Sequence, residues 1–110
     1  MRAFLYAVML LLVQGLLAES AYAGEVVKVS INDLVFAPTE VTVRVGDIVE
    51  WANVDFIDHT ATERSGDWDV LIPAGGSGRM ELSRAGTFAY YCRFHPGMTG
   101  MIHVVSADPR

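Results

Sequence analysis

Three residues with metal-binding side chains lie close together near the end of the chain. Cys92, His95 and Met98 are each three residues apart, in a segment that also contains Pro96 and Gly97. Pro and Gly favour turns, so the three side chains are expected in a loop. A thiolate, an imidazole and a thioether are the soft and borderline ligands that copper accepts. The spacing therefore predicts a copper site in this loop.

A second imidazole is needed to complete a known type of copper site. Two imidazoles and one thiolate in a trigonal plane, with a weak axial thioether, form a blue-copper electron-transfer site. His59 is the best upstream candidate, although a histidine close behind two acids, Asp55 and Asp58, is also what an ordinary exposed surface would show. His103 lies in a predicted strand away from the loop, where a structural or exposed position is expected.

Two assignments stay open at the level of the residues. Cys92 is the only cysteine, and free cysteines are often small buried core residues. A core role does not call for a histidine three residues later, which favours the ligand interpretation. Met98 competes with Met101 for the axial position, and alternation in the last strand predicts that Met101 packs in the core.

The elements that must position these side chains are predicted to be strands. Apolar residues alternate with polar ones at Val27–Ile31, Val41–Val45 and Met80–Leu82, which is the period of a half-buried strand. Phe88, Tyr90 and Cys92 share one face of a further strand, and sustained helical periodicity is missing. Seven or eight short strands separated by Gly and Pro predict an all-β fold, a Greek-key sandwich of two sheets. Residues 63–78 are predicted to be the least regular stretch.

The first 23 residues have the features of a secretory signal. Arg2 precedes an apolar run, and Ala21-Tyr22-Ala23 offers small residues for cleavage after Ala23. The alternative is a retained anchor, but Gln14 and Glu19 interrupt the apolar stretch well short of the roughly 20 residues that span a bilayer. We therefore expect a cleaved signal at residues 1–23, one domain at residues 24–110 and a periplasmic location, without stable membrane insertion after cleavage.

The ordered motifs resemble those of the cupredoxin family, the small type 1 blue copper proteins. The two-residue gaps between Cys92, His95 and Met98 are similar to those of the amicyanin branch, whose ligand loop is short. The resemblance implies that His59, Cys92 and His95 are equatorial ligands and Met98 the axial ligand of one copper ion that cycles between Cu(I) and Cu(II). It extends over Gly24–Val105 and rests on Phe36–Val43, Gly46–Asn53, Asp58–Thr60 and Gly86–Cys92.

One position departs from the family pattern. The residue after the first histidine is often Asn, whose side chain ties the two ligand-bearing loops together, whereas this chain has Thr60. A threonine hydroxyl is shorter than an amide. The sequence therefore does not decide whether a hydrogen bond joins the two loops, and the expected ligand set is unchanged.

Charge and motif content limit the function. The net charge is −5, and it is the same without the leader because Arg2 and Glu19 cancel. An acidic chain without a basic cluster disfavours nucleic-acid binding. The acids between residues 50 and 69 are expected to form a solvated face or, alternatively, a docking patch for a basic partner.

The expected function is that of a non-enzymatic carrier of single electrons. Its partners would be redox proteins such as a dehydrogenase, a cytochrome c, or a terminal oxidase or reductase, and we expect a monomer. The alternative is a periplasmic protein that binds or delivers copper without serving a redox chain. Such proteins more often have exposed motifs rich in Met and His, which this sequence lacks.

Overall fold

The computed structural model describes residues 22–107, and all regular elements in that range are strands. Residues 1–21 of the predicted signal therefore lie outside the described residues. The search of residues 22–107 for a helix able to span a membrane found none. The nine strands are β1 (Val26–Asn32), β2 (Val35–Ala37), β3 (Glu40–Arg44), β4 (Ile48–Asn53), β5 (His59–Glu63), β6 (Asp69–Ile72), β7 (Ser77–Glu81), β8 (Gly86–Tyr91) and β9 (Thr99–Val105).

The strands form two sheets, which confirms the predicted all-β sandwich. One sheet has the order β2-β1-β4-β7 and the other the order β3-β9-β8-β5-β6. Both sheets are mixed, because β1 pairs in parallel with β4 and β3 pairs in parallel with β9. The chain crosses from one sheet to the other after β2, β3, β4, β6 and β7, so neighbours within a sheet are often distant in sequence.

The core lies between the sheets and follows the predicted alternation. Val29 and Ile31 of β1 are fully buried, as are Trp51 of β4 and Ile102 of β9. Because side chains alternate along a strand, only the apolar face of each of these strands points toward the opposite sheet. Each fully buried large side chain contributes about 1.5–3 kcal/mol to stability, so this interior holds the sandwich together.

Aromatic side chains fill the centre of this core. The ring of Tyr90 lies edge-on to Phe36, with 4.8 Å between the centroids, and 5.7 Å from the ring of Trp51. Trp51 Nε1 donates a hydrogen bond of 3.2 Å to the Tyr90 hydroxyl, so its buried polar group is satisfied. Burial raises the pKa of Tyr90 to about 12, and its phenol stays neutral.

The structure differs from the sequence prediction at three places. The short edge strand β2 was not anticipated. Residues 63–78, predicted to be the least regular stretch, contain all of β6 and the start of β7. Met101 was predicted to pack in the core, but it lies on the outer face of β9, because the buried positions of that strand are Gly100, Ile102 and Val104.

Candidate metal centre

The pairing of β5 with β8 brings the two candidate ligand segments together. The strands are antiparallel, with Thr62 opposite Tyr91 and Glu63 opposite Tyr90. His59 begins β5 and Cys92 follows β8, so both lie at the same end of the sheet. The register of one strand pair thus joins residues that are 33 positions apart in sequence.

His59, Cys92 and His95 form a compact cluster at this end. The Cys92 Sγ atom lies 3.7 Å from His59 Nδ1 and 3.8 Å from His95 Nδ1. The ligand atoms of the three residues lie within 4.8 Å of one another. His59 and Cys92 are fully buried, and His95 is partly exposed. The predicted thiolate and both predicted imidazoles are therefore in one place.

Asp55 fixes the orientation of the His59 ring. The Asp55 carboxylate lies 2.8 Å from His59 Nε2, and since a carboxylate accepts, Nε2 carries the proton. The lone pair of Nδ1 is then left facing Cys92 Sγ. Hydrogen bonds from the backbone N–H groups of Leu34 and Asp33, and then the bond from His59, hold the pKa of Asp55 below its usual value. Asp55 is therefore a charged acceptor beside a buried imidazole.

The short loop after β8 is closed by its own backbone. His95 N donates to Cys92 O at 3.3 Å, Met98 N donates to His95 O at 2.8 Å, and Cys92 N donates to Met98 O at 3.1 Å. These bonds bring Met98 back beside Cys92, and its side chain is buried. Met101 lies on the outer face of β9, and so does His103, as predicted. His103 contacts Thr87 and Glu40 there.

Thr60 links the two ligand-bearing segments, which answers the question left by the missing asparagine. The Arg93 backbone N–H donates to Thr60 Oγ1 at 2.8 Å, and Thr60 N donates to Cys92 Sγ at 3.3 Å. Thr60 thus contacts both the sulfur of Cys92 and the backbone of Arg93, the residue that follows Cys92. The shorter hydroxyl still spans the gap.

Sequence reasoning missed the roles of Asp55 and Asn53. In the sequence, Asp55 is only an acid near His59, although a carboxylate near a candidate metal-binding histidine is a usual outer partner. Buried Asn53 donates from Nδ2 to Ile57 O at 2.9 Å and accepts at Oδ1 from Asp55 N at 2.9 Å. It therefore shapes the loop before His59. Nothing in the sequence pattern distinguishes it from an ordinary loop asparagine.

The acidic side chains between residues 50 and 69 do not act as one patch. Asp55 faces His59, and Glu63 is buried at the other end of β5. The others have separate partners: Glu50 pairs with Arg79, Asp67 with Arg84 and Asp69 with Arg93, whereas Asp58 accepts from Ala74 N. Three of these charges are paired with an arginine, which favours the solvated-face interpretation.

The cluster fits a single copper ion of type 1. Bonds of about 2.0–2.1 Å to nitrogen and about 2.3 Å to sulfur, as borderline metals form, place nitrogen and sulfur about 3.8 Å apart at trigonal angles. The two Sγ–Nδ1 separations are 3.7 and 3.8 Å. Two imidazoles, a thiolate and a nearby thioether are also the chemical set that such a site uses.

Comparison with known proteins agrees with this geometry. Residues 23–105 match the family model described as copper binding proteins, plastocyanin/azurin family. A reduced Cu(I) form at pH 4 of an amicyanin proline-to-glycine mutant is 28% identical, with a TM-score of 0.62 over 79% of this chain and 87% of that chain. Amicyanin from Paracoccus versutus is 25% identical, with a TM-score of 0.62 over 79% and 85%.

A more distant neighbour supports the fold alone. It is a purple cupredoxin from Nitrosopumilus maritimus, 22% identical, with a TM-score of 0.62 over 70% of this chain and 97% of that chain. The matched family covers the whole described sandwich, both sheets and the His-Cys-His cluster. The chain belongs to the plastocyanin/azurin family of copper-binding proteins.

Proposed function

We propose that the protein is an exported electron carrier in which His59, Cys92 and His95 are the equatorial ligands and Met98 is the axial ligand of one copper ion. The observation that supports this best is the His-Cys-His cluster, buried at two of its three members and spaced for trigonal coordination. Bound there, copper supplies reversible one-electron cycling between Cu(I) and Cu(II).

The chain's own residues keep this site in one arrangement. Thr60 N–H supports the sulfur of Cys92, and Asp55 holds the His59 ring. Three backbone hydrogen bonds fix the loop that carries His95 and Met98. Ligands held this firmly move little when an electron arrives or leaves, which favours fast transfer. The four ligands leave no open position for a substrate, so we propose that the protein is not an enzyme.

His95 is the proposed point of electron entry and exit. It is the partly exposed member of the cluster, and the apolar residues Phe94 and Pro96 flank it in the loop. Phe94 is 50% exposed, and Phe56 of the loop before β5 is 99% exposed. A small apolar surface around a redox centre suits brief contacts with another redox protein. The proposed partners are a dehydrogenase, a cytochrome c, or a terminal oxidase or reductase.

We further propose export to the periplasm with cleavage after Ala23, and a monomeric mature protein. Cleavage there removes Tyr22, whose hydroxyl donates to Asp47 at 2.5 Å. Asp47 keeps two backbone donors, Glu25 N at 2.9 Å and Arg44 N at 2.7 Å, so its buried carboxylate stays paired. The intact mass of the periplasmic protein and light scattering test these points. A mass that includes residues 1–23 would overturn the cleavage proposal.

The first test is the visible absorption spectrum of Gly24–Arg110 after addition of Cu(II). We expect an intense blue thiolate-to-copper band that is missing in the Cys92→Ser variant. Voltammetry of the same sample then separates the electron carrier from the alternative copper-delivery protein, since a carrier cycles reversibly and exchanges electrons fast. A colourless copper complex without reversible cycling would favour delivery, and a protein that binds no copper would overturn both functions.

A further inference from the structure

A closed chain of hydrogen bonds begins and ends at Arg93, the residue between Cys92 and the exposed part of the loop. Arg93 N donates to Thr60 Oγ1 at 2.8 Å, and Thr60 Oγ1 lies 2.9 Å from Thr62 Oγ1. Thr62 Oγ1 donates to Asp69 Oδ1 at 2.6 Å. The Arg93 guanidinium returns to the same carboxylate, with Nε at 3.2 Å from Oδ1 and Nη2 at 3.2 Å from Oδ2.

The Asp69 carboxylate fixes the direction of every hydrogen bond in this chain. An ionised Asp69 only accepts, so Thr62 must donate to it. Thr62 Oγ1 then accepts from Thr60, whose own oxygen is left free to accept from Arg93 N. The pKa of Asp69 is held below its usual value by the Thr62 hydroxyl and the Arg93 side chain, which keeps the carboxylate charged.

Burial makes this ordering matter. Thr60 is fully buried and Thr62 is 8% exposed. Water therefore has little access to replace a missing hydrogen-bond partner of either hydroxyl. A buried polar group without a partner is costly, whereas a fully satisfied network is rigid. Asp69, by contrast, is exposed at the start of β6 and reaches the network from outside. A surface charge thus orders two hydroxyl groups beside the candidate metal centre.

We propose that Asp69, acting through Thr62, is a positioning residue that holds the β5 segment with His59 against the Cys92–Met98 loop. The proposal rests on the ligand set given above. By fixing Thr60, the network keeps the Thr60 N–H directed at Cys92 Sγ. A hydrogen bond to the cysteine sulfur tunes the reduction potential of a blue-copper site. Because such a bond withdraws charge from the thiolate, it favours Cu(I).

The test variant is Thr62→Val, which removes the middle hydroxyl without changing charge or touching a ligand. In the metal-free protein we expect the Arg93 amide proton to exchange with solvent about tenfold faster. The Cys92 amide, which donates to Met98 O, is the internal control and should not change. Thr87→Val on β8 is the matched substitution outside the network, since Thr87 contacts His103 on the outer face.

The reduction potential is a second readout. A general loss of stability would not shift the potential consistently toward Cu(II), whereas loss of the hydrogen bond to Cys92 Sγ should. In the copper-loaded protein, Thr62→Val should lower the ratio of the Cu(I) to the Cu(II) binding constant by up to about tenfold, or about 59 mV for one electron. Asp69→Asn should speed exchange at the same Arg93 amide. Added to Thr62→Val it should have little further effect, because the two residues act as one unit.

Three results would overturn the proposal: an unchanged Arg93 amide in Thr62→Val, equal acceleration of the Arg93 and Cys92 amides, or simple additivity of the two substitutions. The exchange measurements need no metal. Should the chain fail to bind copper, the proposed function falls, and the exchange data alone still decide whether Asp69 positions the loop.

Discussion

The two histidines of the cluster have opposite surroundings. His59 is fully buried at the start of β5, and its Nε2 is paired with a charged carboxylate. His95 is partly exposed in a short loop, and the hydrogen bonds of its side chain among residues 22–107 are limited to a long contact of 3.8 Å with Cys92 Sγ. The difference separates the two imidazoles: one is fixed by the protein interior, and the other is accessible from solvent, as the proposed electron transfer to a partner requires.

The largest expected effect comes from deleting each imidazole in turn. His59→Gly and His95→Gly should each lose the blue band and lower Cu(II) affinity by more than the roughly 100-fold that outer partners account for. Added imidazole should restore the band in His95→Gly, because that cavity opens to solvent, and not in His59→Gly. Absorption titrations check this, and equal rescue of both variants would contradict the difference in access.

The next effect concerns the partner of the buried imidazole. Asp55→Asn should weaken Cu(II) binding about 10- to 100-fold, as loss of an outer carboxylate partner commonly does. Competition with a chelator of known affinity measures it. Asp58→Asn is the matched control, because Asp58 lies beside His59 in sequence but accepts from Ala74 N instead. Similar losses in both variants would mean that charge alone, and not the contact with His59, is responsible.

The exit of the exposed loop depends on close packing. A Cβ atom at Gly100 would lie 2.4 Å from Tyr90 Cζ, whereas one at Gly97 would meet nothing within 4 Å. Gly100→Ala should therefore destabilise the metal-free protein by about 1–3 kcal/mol through overpacking. Gly97→Ala should be close to neutral. Denaturant unfolding of both variants compares them, and equal stabilities would show that the loop yields more easily than its contacts suggest.

The smallest effect is expected from acid, at the end of β5 opposite His59. Glu63 accepts from the Ser65 hydroxyl and from Ser65 N and Asp67 N at 3.0 Å, and these bonds lower its pKa. A lowered pKa in the folded state means that the stabilisation is present above the unfolded value of about 4.3 and is lost as the pH falls below it. Urea unfolding of metal-free wild type and Glu63→Gln from pH 7 to pH 3 measures this, and the variant should show the weaker dependence. An identical pH dependence would contradict it.

Alternation of apolar and polar residues made most strands of the sandwich predictable. The prediction was limited at the edges of the sheets and where the chain crosses between them. Strands such as β1 and β4 bury one face, which leaves a period of two in the sequence. β2 has three residues and β6 has four, too few to show a period, and both lie at sheet edges. Met101 was placed wrongly because alternation gives two faces without saying which one is buried. Only its neighbours Gly100 and Ile102 in the folded sheet decide that.

Candidate ligands could be predicted because side-chain type is visible in the sequence. The residues that hold those ligands in place depend on the folded geometry. The types and spacing of Cys92, His95 and Met98 suggest them as candidate ligands. Asp55 reaches His59 because Asn53 and the turn at Asp33 and Leu34 hold the loop. Both turn residues have positive φ, which a two-residue hairpin of this kind requires but which Leu rarely adopts. No local sequence pattern indicates such a turn. Its effect on His59, which acts through Asp55, therefore could not be predicted.

The order of the candidate ligands along the chain has a consequence for metal loading. Cys92, His95 and Met98 are neighbours even in an unfolded polypeptide, whereas His59 joins them only when β5 has paired with β8. An unfolded chain can therefore hold Cu(I) through these three side chains, and any such binding subtracts from the stabilisation that the metal gives the native state. With the proposed ligand set, His59 is the side chain through which copper distinguishes the folded protein from the nascent one, and thermal shifts on loading should depend on His59 more than on any candidate ligand of the loop.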